Sequence, residues 1–235
     1  MSLTNRATVT GTIMHAPMLD HATEGGEVIY KTSIQVVRTS GTGDILVLMI
    51  PGRVMDKCKI EPMARMTLHG EIRRLMLDTL TSKGKPRWIP AIFVQRADDA
   101  DGMEDDNRVT LTGVLTDQPV YRETPLGREI AEMAVRVDRK SGKWDRIMCI
   151  AWGSMARKMG CAEPDSLVHL TGRMQSRGYT KILPDGTAKA MMTWEVSAGY
   201  VELLTGGKGY EEMADQSARD ERLESAGAAG DMPAV

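Results

Sequence analysis

Asn5-Arg6-Ala7-Thr8-Val9-Thr10-Gly11 returns as Asn107-Arg108-Val109-Thr110-Leu111-Thr112-Gly113, an offset of 102 residues. Both stretches are rich in β-branched residues at alternate positions and stop at a glycine, the pattern of a half-buried strand. Outward from them, Pro17 falls on Pro119. After a one-residue slip, Gly26, Ile29, Ile34, Val36 and Arg38 fall on Gly127, Ile130, Val135, Val137 and Arg139. Ser40-Gly41, Asp44 and Gly52 fall on Ser141-Gly142, Asp145 and Gly153, and Leu68-His69-Gly70 falls on Leu170-Thr171-Gly172. So many matches in one order, with one slip, mark the chain as a duplication.

Each copy reads as strands. After the opening strand come Ile34–Val37 or Met133–Val137, a Ser-Gly turn, and a third run, Ile45–Ile50 or Arg146–Trp152. A short helical stretch follows, Ser154–Met159 in the second copy, then a fourth strand (Leu167–Met174) and a fifth from Met191. Five strands with one helix between the third and fourth is the order of the OB-fold, a small Greek-key barrel. The expected class is all-β: two tandem OB-folds, residues 1–97 and 107–204, joined by an acidic linker, 98–106. A disordered acidic C-terminal tail, 205–235, ends the chain.

The net charge of −2 conceals an asymmetry. Residues 5–96 hold 13 Lys/Arg against 8 Asp/Glu, and residues 107–204 hold 14 against 11, whereas the linker has six acids and no base. Two mildly basic bodies thus carry acidic connections, which keeps a polyanionic partner in play. Cys58, Cys149 and Cys161 make no C-x-x-C pair, so neither a disulfide framework nor a zinc cluster is expected, and a reducing cytoplasm is the simpler setting. No signal peptide and no apolar run of membrane-spanning length is visible. His15, His21, His69 and His169 are not at ligand spacing, so no metal or other cofactor is expected. There is no phosphate-cradling P-loop, nucleophile elbow or H-E-x-x-H, so no enzyme is expected. Gly206-Gly207-Lys208-Gly209 reads as a linker.

The second copy carries a sharper signal. Asn107 to Gly113 with Pro119, Thr124-Pro125-Leu126-Gly127, Asp145 through Gly153, Leu170 through Tyr179, Asp185-Gly186 and Thr193-Trp194-Glu195-Val196 together resemble the bacterial single-stranded DNA-binding proteins. The first copy is similar only through the duplication. The resemblance implies sequence-tolerant binding of single-stranded DNA in replication, recombination or repair. Bases would stack on aromatic faces while cations meet phosphates. It places stacking groups at Trp152 and Tyr179 and phosphate contacts at Arg173, Arg177 and Lys181, with Trp144 as a third aromatic. Arg146 stands where the family has an aromatic, so that platform is either missing or has shifted to Trp144. In the first copy Pro51 stands in place of Trp152 and Leu77 near the place of Tyr179. That copy keeps Arg73 and Arg74 and is expected to supply charge and assembly surface more than base contact.

Bland readings stand beside these. Trp152 also fits a core, Trp194 fits core or interface better than stacking, and Trp88 and Phe93 fit a core as well as a surface. The family's four-barrel unit implies a homodimer of this two-barrel chain. Its tails recruit replication or repair proteins through a terminal phenylalanine, but here the chain ends in Val235. The alternative function is a replication-restart or mobile-element accessory whose barrels mainly contact proteins.

Overall fold

The computed structural model describes residues 4–80, 84, 86–183 and 186–205. The expected tail, the glycine run after Thr205 and Asp185 lie outside them. The first barrel contains β1 (Asn5–Ile13), β2 (Met18–Ala22), β3 (Val28–Val37), β4 (Gly43–Pro51), α1 (Gly52–Met55), β5 (Arg65–Leu80) and β6 (Pro86–Asp99). The second repeats the order with β7 (Asp106–Leu115), β8 (Val120–Glu123), β9 (Glu129–Asp138), β10 (Trp144–Trp152), α2 (Ser154–Gly160), β11 (Leu167–Ile182) and β12 (Ala188–Thr205). The helix falls where the sequence places it. The short β2 and β8 are additions, each a hairpin arm pairing with the start of the next strand. Their side chains are almost all exposed, so they carry no apolar alternation for a sequence reading to find.

Alternation builds the barrels. Along β4, Leu46, Leu48 and Ile50 point inward and are fully buried, while Ile45, Val47 and Met49 are only half-buried. Each such inward side chain contributes roughly 1.5–3 kcal/mol. Antiparallel pairing of β1 with β3 and parallel pairing of β4 with β6 close the first barrel. Pairing of β7 with β9 and β10 with β12 closes the second. Closure presses backbones together, and two repeated glycines mark where. A Cβ on Gly70 would lie 2.1 Å from the Phe93 carbonyl oxygen, and one on Gly172 2.1 Å from that of Ser197. Both sit at register shifts of the long hairpins. The duplication keeps these glycines because any side chain would push the strands apart.

The barrels are not beads on a spacer. β1 pairs antiparallel with β7, Asn5 opposite Leu111 through Thr10 opposite Asp106, so all twelve strands form one sheet system. Strand β6 runs through Asp99 and β7 starts at Asp106, which leaves only residues 100–105 of the acidic segment between them. Asp105 is itself docked, accepting from the Val37 amide and from Arg65, both at 2.6 Å. The repeated Asn5 and Asn107 each clamp a strand of their own barrel, through Ile72 and Met174. No helix among the described residues is long and apolar enough to cross a membrane.

The cysteines differ sharply in setting: Cys149 is buried, Cys58 half-buried and Cys161 exposed. Burial pushes the Cys149 thiol well up, and does so more mildly at Cys58, with help from Asp98 and Asp99. Because the thiolate is the reactive form, a disulfide reagent added to the native chain is expected to modify Cys161 first and Cys58 more slowly. Cys149 should react only after denaturant is added. Rapid native labelling of Cys149 would mean that this barrel opens locally.

Candidate nucleic-acid interface

The main trough lies on the second barrel at its junction with the first. Trp152, the last residue of β10, is 37% exposed. Its indole N–H donates to the Ser197 hydroxyl on β12 at 3.1 Å, which ties the ring to the neighbouring strand. The ring lines a concavity of about 850 Å³ whose lining includes Arg38, Arg128, Arg173 and Arg177 and, among the described residues, no carboxylate. It also lines a smaller one of about 380 Å³ that shares Arg128, Gln175 and Arg177 with the first. The exposed Leu126, at the tip of the β8–β9 hairpin, lines that smaller concavity. Glu195, the one acid there among the described residues, accepts a hydrogen bond from Gln175 at 2.8 Å.

Arg38 reaches this trough from the first barrel. It follows β3 and grips the fully buried Asp44 through two hydrogen bonds of 2.6 Å. Asp44 in turn accepts from the Ser176 amide at 2.9 Å, which ties β11 of the second barrel to the turn of the first. The arrangement recurs with the barrels exchanged. Arg139 grips Asp145 at 2.5 Å twice, and Asp145 accepts from the Arg74 amide at 2.8 Å. Arg173 sits beside Arg38 with its Nε buried and without a hydrogen-bond partner among the described residues. Burial, and then the neighbouring Arg38 cation, push Arg173 below the ordinary arginine range. A half-buried guanidinium whose buried Nε lacks a partner among the described residues, set next to a like charge, favours an anion.

The other expected residues are more dispersed. Tyr179, 40% exposed, and Lys181 lie farther along the β11–β12 hairpin, outside the trough. Arg146 is drawn away to Asp117 at 2.6 Å and Thr116 at 3.2 Å. Trp194 sits at the junction, its indole N–H donating to the Ile45 carbonyl of the first barrel at 2.7 Å. Arg73 lies over the buried Phe93 ring at 3.5 Å and pairs with Glu71. Arg74 lies over Trp88 at 4.2 Å and near Trp144 at 5.8 Å. Trp144 is therefore presented to the first barrel, not to Trp152.

Arg38, Arg128 and Trp88 were not expected at a site. A signal existed for Arg38: the duplication preserves Arg38 with Asp44 and Arg139 with Asp145 at the same six-residue spacing. Nothing in the sequence marked Arg128, which reaches the trough only through the fold of the β8–β9 hairpin.

Comparison with known proteins bears on this geometry. Residues 106–204 match the model of the single-strand binding protein family. Over 105 residues the chain is 31% identical to single-stranded DNA-binding protein 2 of Listeria innocua, covering 42% of this chain and 64% of that one. It is 32% identical to single-stranded DNA-binding protein A of Bacillus subtilis, covering 42% of this chain and 59% of the relative. The chain thus spans less than two thirds of the length of these curated relatives. The solved structure of the wild-type single-stranded DNA binding protein from Thermus aquaticus superposes with a TM-score of 0.67 at 18% identity, covering 88% of this chain and 96% of that one. That likeness is one of fold and extends over both barrels.

Proposed function

We propose, since residues 106–204 match the model of the single-strand binding protein family, that the chain binds single-stranded DNA with little regard to sequence. The observation that carries this reading is the trough around Trp152, where, among the described residues, four arginines and no carboxylate line the larger concavity beside a half-open indole. Every base has a π-face for the indole, and every nucleotide has a phosphate for the guanidiniums, so the match is to the polymer and not to a sequence. Arg173, with its unmet Nε, and Arg38 meet one phosphate; Arg128 and Arg177 meet its neighbours. No bond is made or broken. The strand is coated and kept unpaired, which serves replication, recombination or repair. A homodimer would bring four barrels together, as the family resemblance implies.

A salt titration of tryptophan quenching by oligo-dT tests this. Each phosphate neutralised on a single strand contributes a slope of about −0.7 in log K against log salt. Four arginines therefore predict a slope of roughly −3. Quenching that is absent, or an affinity that does not change with salt, overturns the reading. Poly-U competing as well as poly-dT would shift the ligand to RNA.

A further inference from the structure

We propose that Leu126, at the tip of the β8–β9 hairpin, covers the base that stacks on Trp152, so that one nucleotide is held between an indole and a leucine. The inference rests on the reading above and adds to it a second contact for that base.

The tip forms without help from this side chain. The Thr124 carbonyl accepts from the Gly127 amide at 2.8 Å, and the Thr124 amide donates to the Arg128 carbonyl at 2.8 Å. The Thr124 hydroxyl accepts from the Arg128 amide at 3.0 Å. Gly127 takes the positive φ of 71° that the turn requires, and Pro125 restricts the backbone at the turn's second position. The first copy makes the same turn from the same groups: Thr23 bonds the Gly26 and Glu27 backbones through its carbonyl, amide and hydroxyl, and Gly26 has a φ of 79°. There the residue in the place of Leu126 is Gly25. Leucine is thus no requirement of the turn.

Nor does Leu126 serve the core. It is 82% exposed, the most exposed of the large apolar side chains among the described residues. A single exposed leucine is ordinary, but this one shares the concavity of about 380 Å³ with Trp152, and Pro125, Ile130 and Ile150 add to its apolar lining. That volume lies within the range of small-ligand sites. Arg128, two residues beyond Leu126, and Arg177 line both this concavity and the larger one. A strand whose phosphates meet these two cations therefore brings a base to the indole and the leucine together. The hairpin is braced for this. The Tyr121 hydroxyl donates to Glu129 at 2.6 Å and Arg122 pairs with Glu132 at 2.5 Å. Helix α2 seats β8 closely: a Cβ on Gly160 would lie 2.8 Å from the Cβ of Tyr121. A tip already held in place loses little freedom when a base arrives. Every base offers a face to the leucine as it does to the indole, so sequence tolerance is kept.

The test is a double-mutant cycle on oligo-dT affinity. Leu126→Ala should weaken binding roughly fivefold, as expected for partial burial of a leucine. The loss should appear as faster dissociation with an unchanged salt slope, and Leu126→Met should restore most of the affinity. In a Trp152→Ala background the same Leu126→Ala change should cost less than about twofold, because residues that share one partner are not additive. Unchanged affinity in Leu126→Ala overturns the inference, and so does an equal fivefold loss in both backgrounds; either result leaves the Trp152 trough standing. If the wild-type chain fails to bind oligo-dT at all, the proposed function itself fails.

Discussion

Trp152→Ala is expected to weaken binding of oligo-dT by roughly 5- to 140-fold, because one base stacked on an aromatic is worth about 1–3 kcal/mol and each 1.4 kcal/mol is a factor of ten. The loss should be nearly the same for dT, dA and dC oligomers, since a π-face carries no sequence information. The barrel itself should survive. Beneath the ring, Ile147, Cys149 and Ala151 of β10 fill the core, whereas the indole contributes one hydrogen bond to Ser197 and a partly open face. A second variant separates stacking from charge. Arg177→Ala should flatten the salt slope by about 0.7 with a smaller loss of affinity at physiological salt. Trp152→Ala should lower affinity at every salt concentration and leave the slope unchanged. Equal affinity in a folded Trp152→Ala protein would show that bases do not use this ring.

Much of the fold was open to sequence reading because the chain states it twice. The repeat aligned strands, glycines and turns between copies, and barrel closure needs what it preserved: inward apolar residues and glycines where backbones touch. The trough was half visible. Trp152, Arg173 and Arg177, which the family resemblance singled out, line it. Arg38 and Arg128 were hidden because they belong to the trough through tertiary placement, one by crossing from the other barrel and one by a hairpin of little apolar pattern. The first barrel's exposed tryptophan was hard to place for a related reason: Trp88 lies on β6, away from the positions at which the second copy carries Trp152 and Tyr179. A linear alignment compares position with position, but a groove collects side chains by where they end up. Tyr179 illustrates the converse. Its sequence position matches the family, yet it stands along the hairpin beyond the trough, so its contact depends on how far a bound strand extends.

The largest expected loss of stability is at the paired buried carboxylates. Asp145→Ala is expected to destabilise the chain by about 3 kcal/mol, out of a total stability on the order of 5–15 kcal/mol. Asp145 is 1% exposed and Asp44 is fully buried. Each satisfies two guanidinium donors of its own barrel and one backbone amide of the other. Deleting the carboxylate leaves a largely buried cation and an orphaned amide at the junction, the arrangement in which a missing partner costs more than the pair was worth. The arginines keep some contact with water, which places the loss at the lower end of the range for buried pairs. Urea unfolding of Asp145→Ala and Asp145→Asn measures it. The asparagine retains an acceptor for the Arg74 amide and should recover part of the loss, and a change under about 1 kcal/mol would mean that the β1–β7 pairing and the Asp44–Ser176 and Trp194–Ile45 hydrogen bonds hold the junction without Asp145. The functional consequence should cross over between barrels. Asp145 anchors Arg74, so its loss loosens the groove of the first barrel. Asp44 anchors Ser176, next to Arg177, so Asp44→Ala should damage the Trp152 trough although Asp44 belongs to the other barrel. Weaker oligo-dT binding from Asp44→Ala than from Asp145→Ala, at equal loss of stability, would establish that each barrel's turn positions the other's binding strand.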